Sequence, residues 1–230
     1  MIAGKSVLGI IPARGGSKGV PRKNIRKVRG RPLIGWTIDA ARQSKYLDRV
    51  VVSTDDPEIA DVARSLGADV PFLRPAELAR DETPGVAPAL HAIETLPGHA
   101  WVVLLQPTSP LRTADDIDAC IETCSRTKAP ACVAVTEPAQ SPYLMFALDA
   151  NDRLTPLLTW EHASSRRQEL PITYALNGAI YVARTDWLRK TATFVTPETV
   201  AFIMPAARSL DIDSELDFRI LEALLENNET

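Results

Sequence analysis

The chain has 230 residues, of which 45% are hydrophobic and 24% charged, so it can bury a substantial core and is neither disordered nor fibrous. With 26 Lys and Arg against 29 Asp and Glu, the net charge of -3 offers no chain-wide basic field for nucleic acid or a membrane surface. The short apolar run at the N-terminus is too short for a spanning helix and lacks a small-residue cleavage site, which predicts a cytoplasmic protein. We expect one domain over residues 1–230.

Apolar, β-branched runs alternate with amphipathic segments along most of the chain. The runs predict strands at residues 7–11, 50–53, 101–105, 131–135, 175–183 and 199–204, and the amphipathic segments predict helices at 33–41, 56–66, 114–125 and 214–225. This rhythm is typical of a parallel sheet with helices on both faces. We therefore predict an α/β, Rossmann-like, doubly wound and mostly parallel sheet. Ser214 and Asp217 are spaced as a capping box for the last helix.

Two parts of the chain stand outside this rhythm. Residues 138–175, which include Trp160, His162 and Arg166, are rich in Pro, Ser and charge and predict a small excursion, a hairpin or a helix, used for dimer contact. The three cysteines, Cys120, Cys124 and Cys132, form no Cys-x-x-Cys pair, which argues against a disulfide framework and a structural zinc site and favours core thiols.

A loop rich in Gly, Lys and Arg follows the first predicted strand. Ligands of doubly wound sheets bind beyond the carboxyl ends of the strands, which is where this loop lies. Its glycines let backbone N–H groups turn toward an anion, and Arg14, Lys18 and Lys23 bring positive charge to several phosphoryl oxygens, so a triphosphate is the predicted ligand. The dinucleotide and P-loop fingerprints are absent. The alternative is a solvated basic loop without a ligand.

Two carboxylates, Asp211 and Asp213, precede the last predicted helix. In an extended segment, residues i and i+2 point to the same side, where two hard oxygen ligands can hold Mg²⁺ against a triphosphate. Such an ion would offset the charge that builds on the α-phosphate and on the leaving pyrophosphate. The alternative is that Asp213 only caps the helix.

Three further segments carry candidate ligand-binding side chains. Residues 105–112 follow a central strand and contain Gln106 and Arg112, although Pro-rich turns after strands are also common as structure alone. Residues 165–171 contain two arginines that suit carboxylate or phosphate, unless they are a solvated surface pair. Residues 176–181 begin with an Asn-Gly turn that can present an amide to a ligand.

Residues 11–24, IPARGGSKGVPRKN, resemble the signature of the acylneuraminate cytidylyltransferases and their legionaminic and pseudaminic acid relatives. The resemblance covers nearly the whole chain, because the segments 105–112, 165–171, 176–181 and 209–215 match further motifs in the same order. It implies the nucleotide-diphospho-sugar transferase fold and transfer of CMP from CTP to the anomeric 2-hydroxyl of an acidic 2-keto sugar, with pyrophosphate released and Mg²⁺ as cofactor.

The resemblance also implies roles for single residues. It assigns Ala13, Arg14, Gly15, Ser17, Lys18, Lys23, Asn24 and Thr83 to the nucleotide, Gln106, Arg167, Asn177, Tyr181 and Phe194 to the sugar, and Asp211 and Asp213 to the metal, with Arg14, Lys23 and Asp211 as catalytic residues. Phe194 resembles an aromatic residue that the partner subunit lends to the sugar pocket, which implies a homodimer.

The resemblance narrows the substrate only partly. Asn177-Gly178 is similar to the sialic and legionaminic branch, whereas pseudaminic members tend to have Asp-Ala-Gly. Leu144 and Val195 stand where some relatives have a lysine and a second aromatic residue, and these departures bear on the sugar, not on the reaction.

Two other classes of function remain open from the sequence. The same fold and loop serve nucleotidyltransferases that act on Kdo, sugar phosphates or phosphonates. A non-catalytic nucleotide-binding module would be expected to lose the aspartate pair or a basic loop residue, and both are retained here. No general base is identified, since His91, His99 and His162 lie outside the motifs.

Overall fold

The structure, a computed structural model, describes residues 1–2, 4–17, 19–158 and 166–227. Its first half contains the strands β1 (Val7–Pro12), β2 (Lys27–Val28), β3 (Arg31–Pro32), β4 (Arg49–Ser53) and β5 (Trp101–Leu104), and the helices α1 (Leu33–Gln43), α2 (Pro57–Ser65) and α3 (Ala87–Thr95). Its second half contains α4 (Ala114–Thr127), β6 (Ala131–Thr136), β7 (Phe146–Leu148), β8 (Leu154–Pro156), β9 (Ala175–Arg184), α5 (Thr185–Thr191), β10 (Val200–Ile203) and α6 (Glu215–Asn227).

The central sheet has six strands in the order β10-β6-β9-β5-β1-β4. All neighbours pair in parallel except β9, which runs antiparallel to both β5 and β6. The chain leaves β6 at the carboxyl edge and starts β9 from that same edge, so β9 runs back in the opposite direction. The predicted mostly parallel, doubly wound fold is confirmed, with this one reversed strand.

Helices cover both faces of the sheet because the strands are apolar on both sides. In β1, Val7 and Ile11 join the core under α1, α2 and α4, while Leu8 and Ile10 join the core on the other face, where α3 and α5 pack. All three cysteines are buried and free, and burial raises the pKa of Cys124 to about 12, so the prediction of core thiols is confirmed. The sequence did not predict α3 or α5.

A third, smaller core fastens α6 beside the loop that follows β1. Val20 from that loop, Ile212 and Phe218 are buried together. The predicted capping box is confirmed: the Ser214 N–H donates to the Asp217 carboxylate (2.7 Å), and the Asp217 N–H donates to Ser214 Oγ (3.4 Å). Ser214 therefore caps the helix, and Asp213 is not needed for that purpose.

The excursion contains the antiparallel hairpin β7–β8, so the expectation of a hairpin or a helix is met by a hairpin. Apolar side chains lie on its surface, including Phe146 (48% exposed), Leu148 (65%) and Leu154 (65%). Trp160 and His162 lie outside the described residues. Its use in dimer contact stays a prediction.

Candidate active site

A cleft of about 460 Å³ opens at the carboxyl edge of the sheet, beyond β1 and β5. Doubly wound folds bind their ligands at this edge. Many residues assigned to the nucleotide or the metal from the sequence line it, namely Arg14, Ser17, Lys23, Asn24, Thr83 and Asp213, together with Gln106 from the sugar set. Lys18 lies outside the described residues.

The loop after β1 and the segment before α6 meet backbone to backbone in this cleft. An added Cβ on Gly19 would overlap the carbonyl oxygen of Asp213, so only glycine permits the approach. The Lys23 ammonium donates to the carbonyl oxygen of Ile212 (2.7 Å) and to Oδ1 of Asp213 (2.9 Å). Val20 and Ile212, the chain neighbours of Gly19 and Asp213, are buried in one hydrophobic cluster, and their packing holds the two segments together. The two ends of the chain therefore build one site.

Three basic side chains of the loop, those of Arg14, Arg22 and Lys23, pair with carboxylates. Arg14 donates to Asp81 at 2.7 Å, and both side chains are partly exposed. Asn24 is buried and its amide donates to the carbonyl oxygen of Arg14 (3.0 Å), which supports the turn from behind. Thr83 donates to the carbonyl oxygen of Glu77 (3.1 Å) within the loop that carries Asp81. Ala13 is buried at the strand end and does not line the cleft.

A second set of contacts ties this loop to the turn after β4. The Gly15 N–H donates to Oδ1 of Asp55 (3.1 Å), and Arg22 pairs with Asp56 and Glu58. Arg22 has a φ of 57°, a left-handed conformation that costs energy for a residue with a Cβ and that these ion pairs help to hold. The hydrogen bond and ion pair from Arg22 are the largest effect that keeps the pKa of Asp56 below its ordinary value.

The two aspartates flank Ile212, whose side chain is fully buried, so both carboxylates are left outside the core. Partial desolvation raises the pKa of Asp211, and the neighbouring Asp213 carboxylate adds to this, while Thr108 and Lys23 oppose it. Among the described residues, no group of three or more His, Cys, Asp or Glu could hold a metal ion. Two carboxylates fit Mg²⁺, which takes few protein ligands and completes its shell with water and phosphate oxygens.

Gln106 lies at the turn after β5, against Asn177-Gly178. These two residues lie inside β9, at an irregularity in its pairing with β6, so the predicted Asn-Gly turn is instead part of the strand. Gly178 has a φ of 74°, and a Cβ there would lie 3.0 Å from Oε1 of Gln106. Arg112, fully buried, donates to the carbonyl oxygens of Gln106 (3.2 Å) and Ala179 (2.8 Å) and to the hydroxyl of Thr37 (2.6 Å). Arg112 therefore orders this loop from the interior and does not line the cleft.

Asn177 faces the protein interior. Its amide nitrogen donates to Ser209 Oγ (3.0 Å) and contacts Met204 Sδ (3.3 Å), and its Oδ1 accepts from the Ala179 N–H (3.1 Å). Because Ser209 begins the segment that leads to Asp211, Asn177 braces the aspartate pair from β9. A contact between Asn177 and a ligand stays a prediction.

A smaller cavity of about 260 Å³ adjoins the cleft and shares Gln106 with it. Tyr181 and Phe194 line it, with ring centroids 5.4 Å apart. Phe194 is buried in its own chain, whereas Val195 is 49% exposed. Phe194 therefore lines a cavity of its own chain, and its contribution to a partner's sugar pocket stays a prediction. The side chain of Arg167 lies outside what the structure describes.

Arg74 is a cleft residue that the sequence did not reveal. It is 4% exposed, its Nε has no hydrogen-bond partner among the residues that the structure describes, and its Nη2 lies 3.5 Å from Oδ1 of Asp55. Burial lowers its pKa, and the charge of Asp55 opposes that effect. Arg74 lies in a loop without hydrophobic periodicity, so no sequence pattern indicated a role for it. The only signal in the sequence was indirect, because its ion-pair partner Asp55 comes just after a predicted strand.

Known proteins match this chain over most of its length. The family model described as "Cytidylyltransferase" matches residues 8–186. The chain is 34% identical over 228 residues to a CMP-N,N'-diacetyllegionaminic acid synthase of Legionella pneumophila, covering 97% of each protein. It is 34% identical over 215 residues to an N-acylneuraminate cytidylyltransferase of Escherichia coli, covering 93% of this chain and 51% of that protein.

A solved structure shares the fold. It is titled as CMP:2-keto-3-deoxy-manno-octonic acid synthetase complexed with CTP, and it superposes with a TM-score of 0.74 over 97% of this chain and 99% of that one, at 17% identity. Taken with the sequence matches, this means that the chain belongs to the cytidylyltransferase family and is a nucleotidyltransferase of the N-acylneuraminate cytidylyltransferase type.

Proposed function

We propose that this enzyme transfers CMP from CTP to the anomeric 2-hydroxyl of a sialic- or legionaminic-acid-like nonulosonic acid and releases pyrophosphate. The proposal rests on the contact of Gly19 and Lys23 with Asp213. This contact brings a basic loop suited to phosphate and a carboxylate suited to a metal ion into one cleft. The names of the relatives support an acidic nine-carbon sugar as the acceptor.

In this proposal the triphosphate lies along the loop after β1. Arg14 leaves Asp81 and Lys23 leaves Asp213, and both cations donate charge-assisted hydrogen bonds to phosphate oxygens. The sugar lies in the adjoining cavity beside Gln106 and Tyr181. Its 2-hydroxyl attacks the α-phosphorus in line and gives its proton to solvent water, a new P–O bond forms, and the bond to the leaving pyrophosphate breaks. Positioning and charge stabilisation provide most of the rate.

Asp211 and Asp213 are the residues that would hold Mg²⁺, with Thr108 orienting the first of them. When bound, the ion offsets negative charge on the phosphates as pyrophosphate leaves. Lys23 supplies a fixed positive charge beside the same phosphates.

We also propose that the active unit is a cytoplasmic homodimer of a single-domain chain, with residues 138–175 at the contact. The exposed apolar side chains of the β7–β8 hairpin support this, because a soluble chain rarely leaves such a cluster uncovered. No helix in the described ranges is long and apolar enough to cross a membrane. Light scattering after size exclusion tests the dimer: Leu148→Asp with Leu154→Asp should give monomers, and an unchanged mass would contradict this contact.

The reaction is tested with the purified protein, CTP, Mg²⁺ and one acid at a time. The acids are N-acetylneuraminic, legionaminic, pseudaminic and deaminated neuraminic acids, with Kdo as the rival, and both the CMP conjugate and pyrophosphate are measured. We expect conjugates with the sialic or legionaminic acids, and none when CTP is replaced by UTP, GTP or ATP. Conjugate formed with Kdo alone would overturn the proposal.

A further inference from the structure

Asp55 is a carboxylate that the proposed mechanism does not use, and it lies beside Arg74, which lines the cleft. It follows β4 at the carboxyl edge, and its side chain is 22% exposed. Oδ1 accepts a hydrogen bond from the Gly15 N–H at 3.1 Å, and the same oxygen lies 3.5 Å from Nη2 of Arg74. One carboxylate oxygen of Asp55 therefore joins the loop after β1 to the buried Arg74.

Arg74 depends on this carboxylate. Its side chain is only 2% exposed, and within the described part of the chain Asp55 is its only ion-pair partner. Its backbone N–H donates to the carbonyl oxygen of Thr54 at 2.7 Å, so the arginine and the carboxylate are both anchored at the end of β4. A buried guanidinium without a counter-charge is costly, and the unpaired Nε leaves it one further donor beside the cleft.

The charges around Asp55 give the pairing a second effect. Arg14 and Arg74 line the same cleft, and the positive charge of Arg14 lowers the pKa of Arg74, so the two guanidinium groups repel each other. Asp55 offsets this repulsion by pairing with Arg74, and Asp81 offsets it by pairing with Arg14. Both arginines can then lie at the cleft before an anion arrives.

Asp55 also fixes the loop itself. Because the Gly15 N–H points to Oδ1, the turn that leads to Ser17 and Gly19 starts from a defined orientation. Because this N–H already donates a hydrogen bond within the protein, Gly15 contributes to the nucleotide site by shaping the turn.

We propose that Asp55 is a positioning residue for the nucleotide, holding the Gly15 turn and the Arg74 guanidinium in the arrangement that binds CTP. This inference rests on the proposed function of the cleft. It assigns no chemical step to Asp55, which acts through its two partners.

The test compares Asp55→Asn, which keeps the shape and removes the charge, with the wild type. We expect the dissociation constant of CTP, measured by titration calorimetry with Mg²⁺, to rise about 10-fold. The KM for CTP should rise in parallel, while kcat stays within about threefold because no transition-state contact is lost. Asp69→Asn is the matched control, since it breaks the exposed Arg49–Asp69 pair at the other end of β4, and it should leave CTP binding unchanged.

A double variant separates positioning from a general structural role. If Asp55 acts through Arg74, Asp55→Asn combined with Arg74→Ala should bind CTP little worse than Arg74→Ala alone. Fully additive losses would overturn the proposal, as would wild-type CTP affinity in Asp55→Asn with or without a lower unfolding midpoint. If the wild type itself neither binds nor turns over CTP, the proposed function fails instead.

Discussion

The Nζ atom of Lys23 lies 2.9 Å from Oδ1 of Asp213, although the two residues are 190 positions apart in the chain. The ammonium is largely buried, with 13% of its side chain exposed, while the carboxylate is 75% exposed. This pair joins the basic loop after β1 to the proposed metal site.

Gly19→Ala should impair the enzyme where Gly16→Ala does not. A Cβ on Gly19 would overlap the carbonyl oxygen of Asp213 and push the two segments apart, whereas a Cβ on Gly16 meets no atom of the described residues within 4 Å. Overpacking of this kind costs about 1–3 kcal/mol. We expect kcat/KM for CTP to fall at least about 10-fold in Gly19→Ala and to change less than about twofold in Gly16→Ala. Equal activities would show that the close approach is not required.

Lys23→Ala should weaken CTP binding far more than sugar binding. A charge-assisted hydrogen bond contributes about 1.5–3 kcal/mol, so the dissociation constant for CTP should rise by about 10- to 100-fold. The KM for the sugar acid should stay within about twofold. Lys23→Arg, which retains the charge, should recover part of the affinity for CTP, and an unchanged CTP affinity in Lys23→Ala would contradict the assignment of the loop.

Asp211→Ala should abolish most pyrophosphate release at saturating CTP and leave the fold intact. Loss of one group that stabilises developing charge lowers kcat by about 100- to 1,000-fold. Circular dichroism and the unfolding midpoint check the fold, and Glu222→Gln, which removes an exposed carboxylate on α6, is the control. Near-normal turnover in Asp211→Ala would refute its role at the metal.

Asp116→Asn should destabilise the protein in a pH-dependent way. Asp116 is buried at the start of α4, and Arg208 donates to both of its oxygens (2.8 and 2.7 Å). Burial alone would raise its pKa, but the hydrogen bonds from Arg208 and Thr113 hold the pKa of Asp116 below its ordinary value.

A carboxyl group with a lowered pKa stabilises the folded state above its unfolded pKa, which is about 3.9, and this contribution is lost as the pH falls further. Urea unfolding should therefore show Asp116→Asn to be about 2 kcal/mol less stable at pH 7. The difference should shrink as the pH falls below about 4. A difference that is constant with pH would mean that shape, not charge, is what Asp116 contributes.

Much of this architecture can be predicted from local pattern. β-branched runs mark β1, β4, β5 and β6, and the spacing of Asp211 and Asp213 about a buried isoleucine predicts that both carboxylates face outward. The position of the glycine loop after a strand predicts its place at the ligand edge.

Other features depend on tertiary contacts that no local pattern contains. Alternation predicts β9 as a strand but carries no direction, so its antiparallel course was not predictable. The helix α3 is rich in alanine and begins beside Pro88, which leaves little contrast between its two faces. The inward orientation of Asn177 depends on Ser209, and the burial of Arg74 depends on Asp55, so both emerge only from the folded chain.

We expect the basic loop after β1 and the aspartate pair to bind one metal–triphosphate complex together. Crystals grown with CTP and Mn²⁺, which replaces Mg²⁺ and scatters anomalously, measure this directly. We predict an anomalous peak within coordination distance of a carboxylate oxygen of Asp211, one of Asp213 and a phosphate oxygen, with the triphosphate against Lys23 and the loop. A nucleotide bound in the cleft with its manganese away from both aspartates would contradict it.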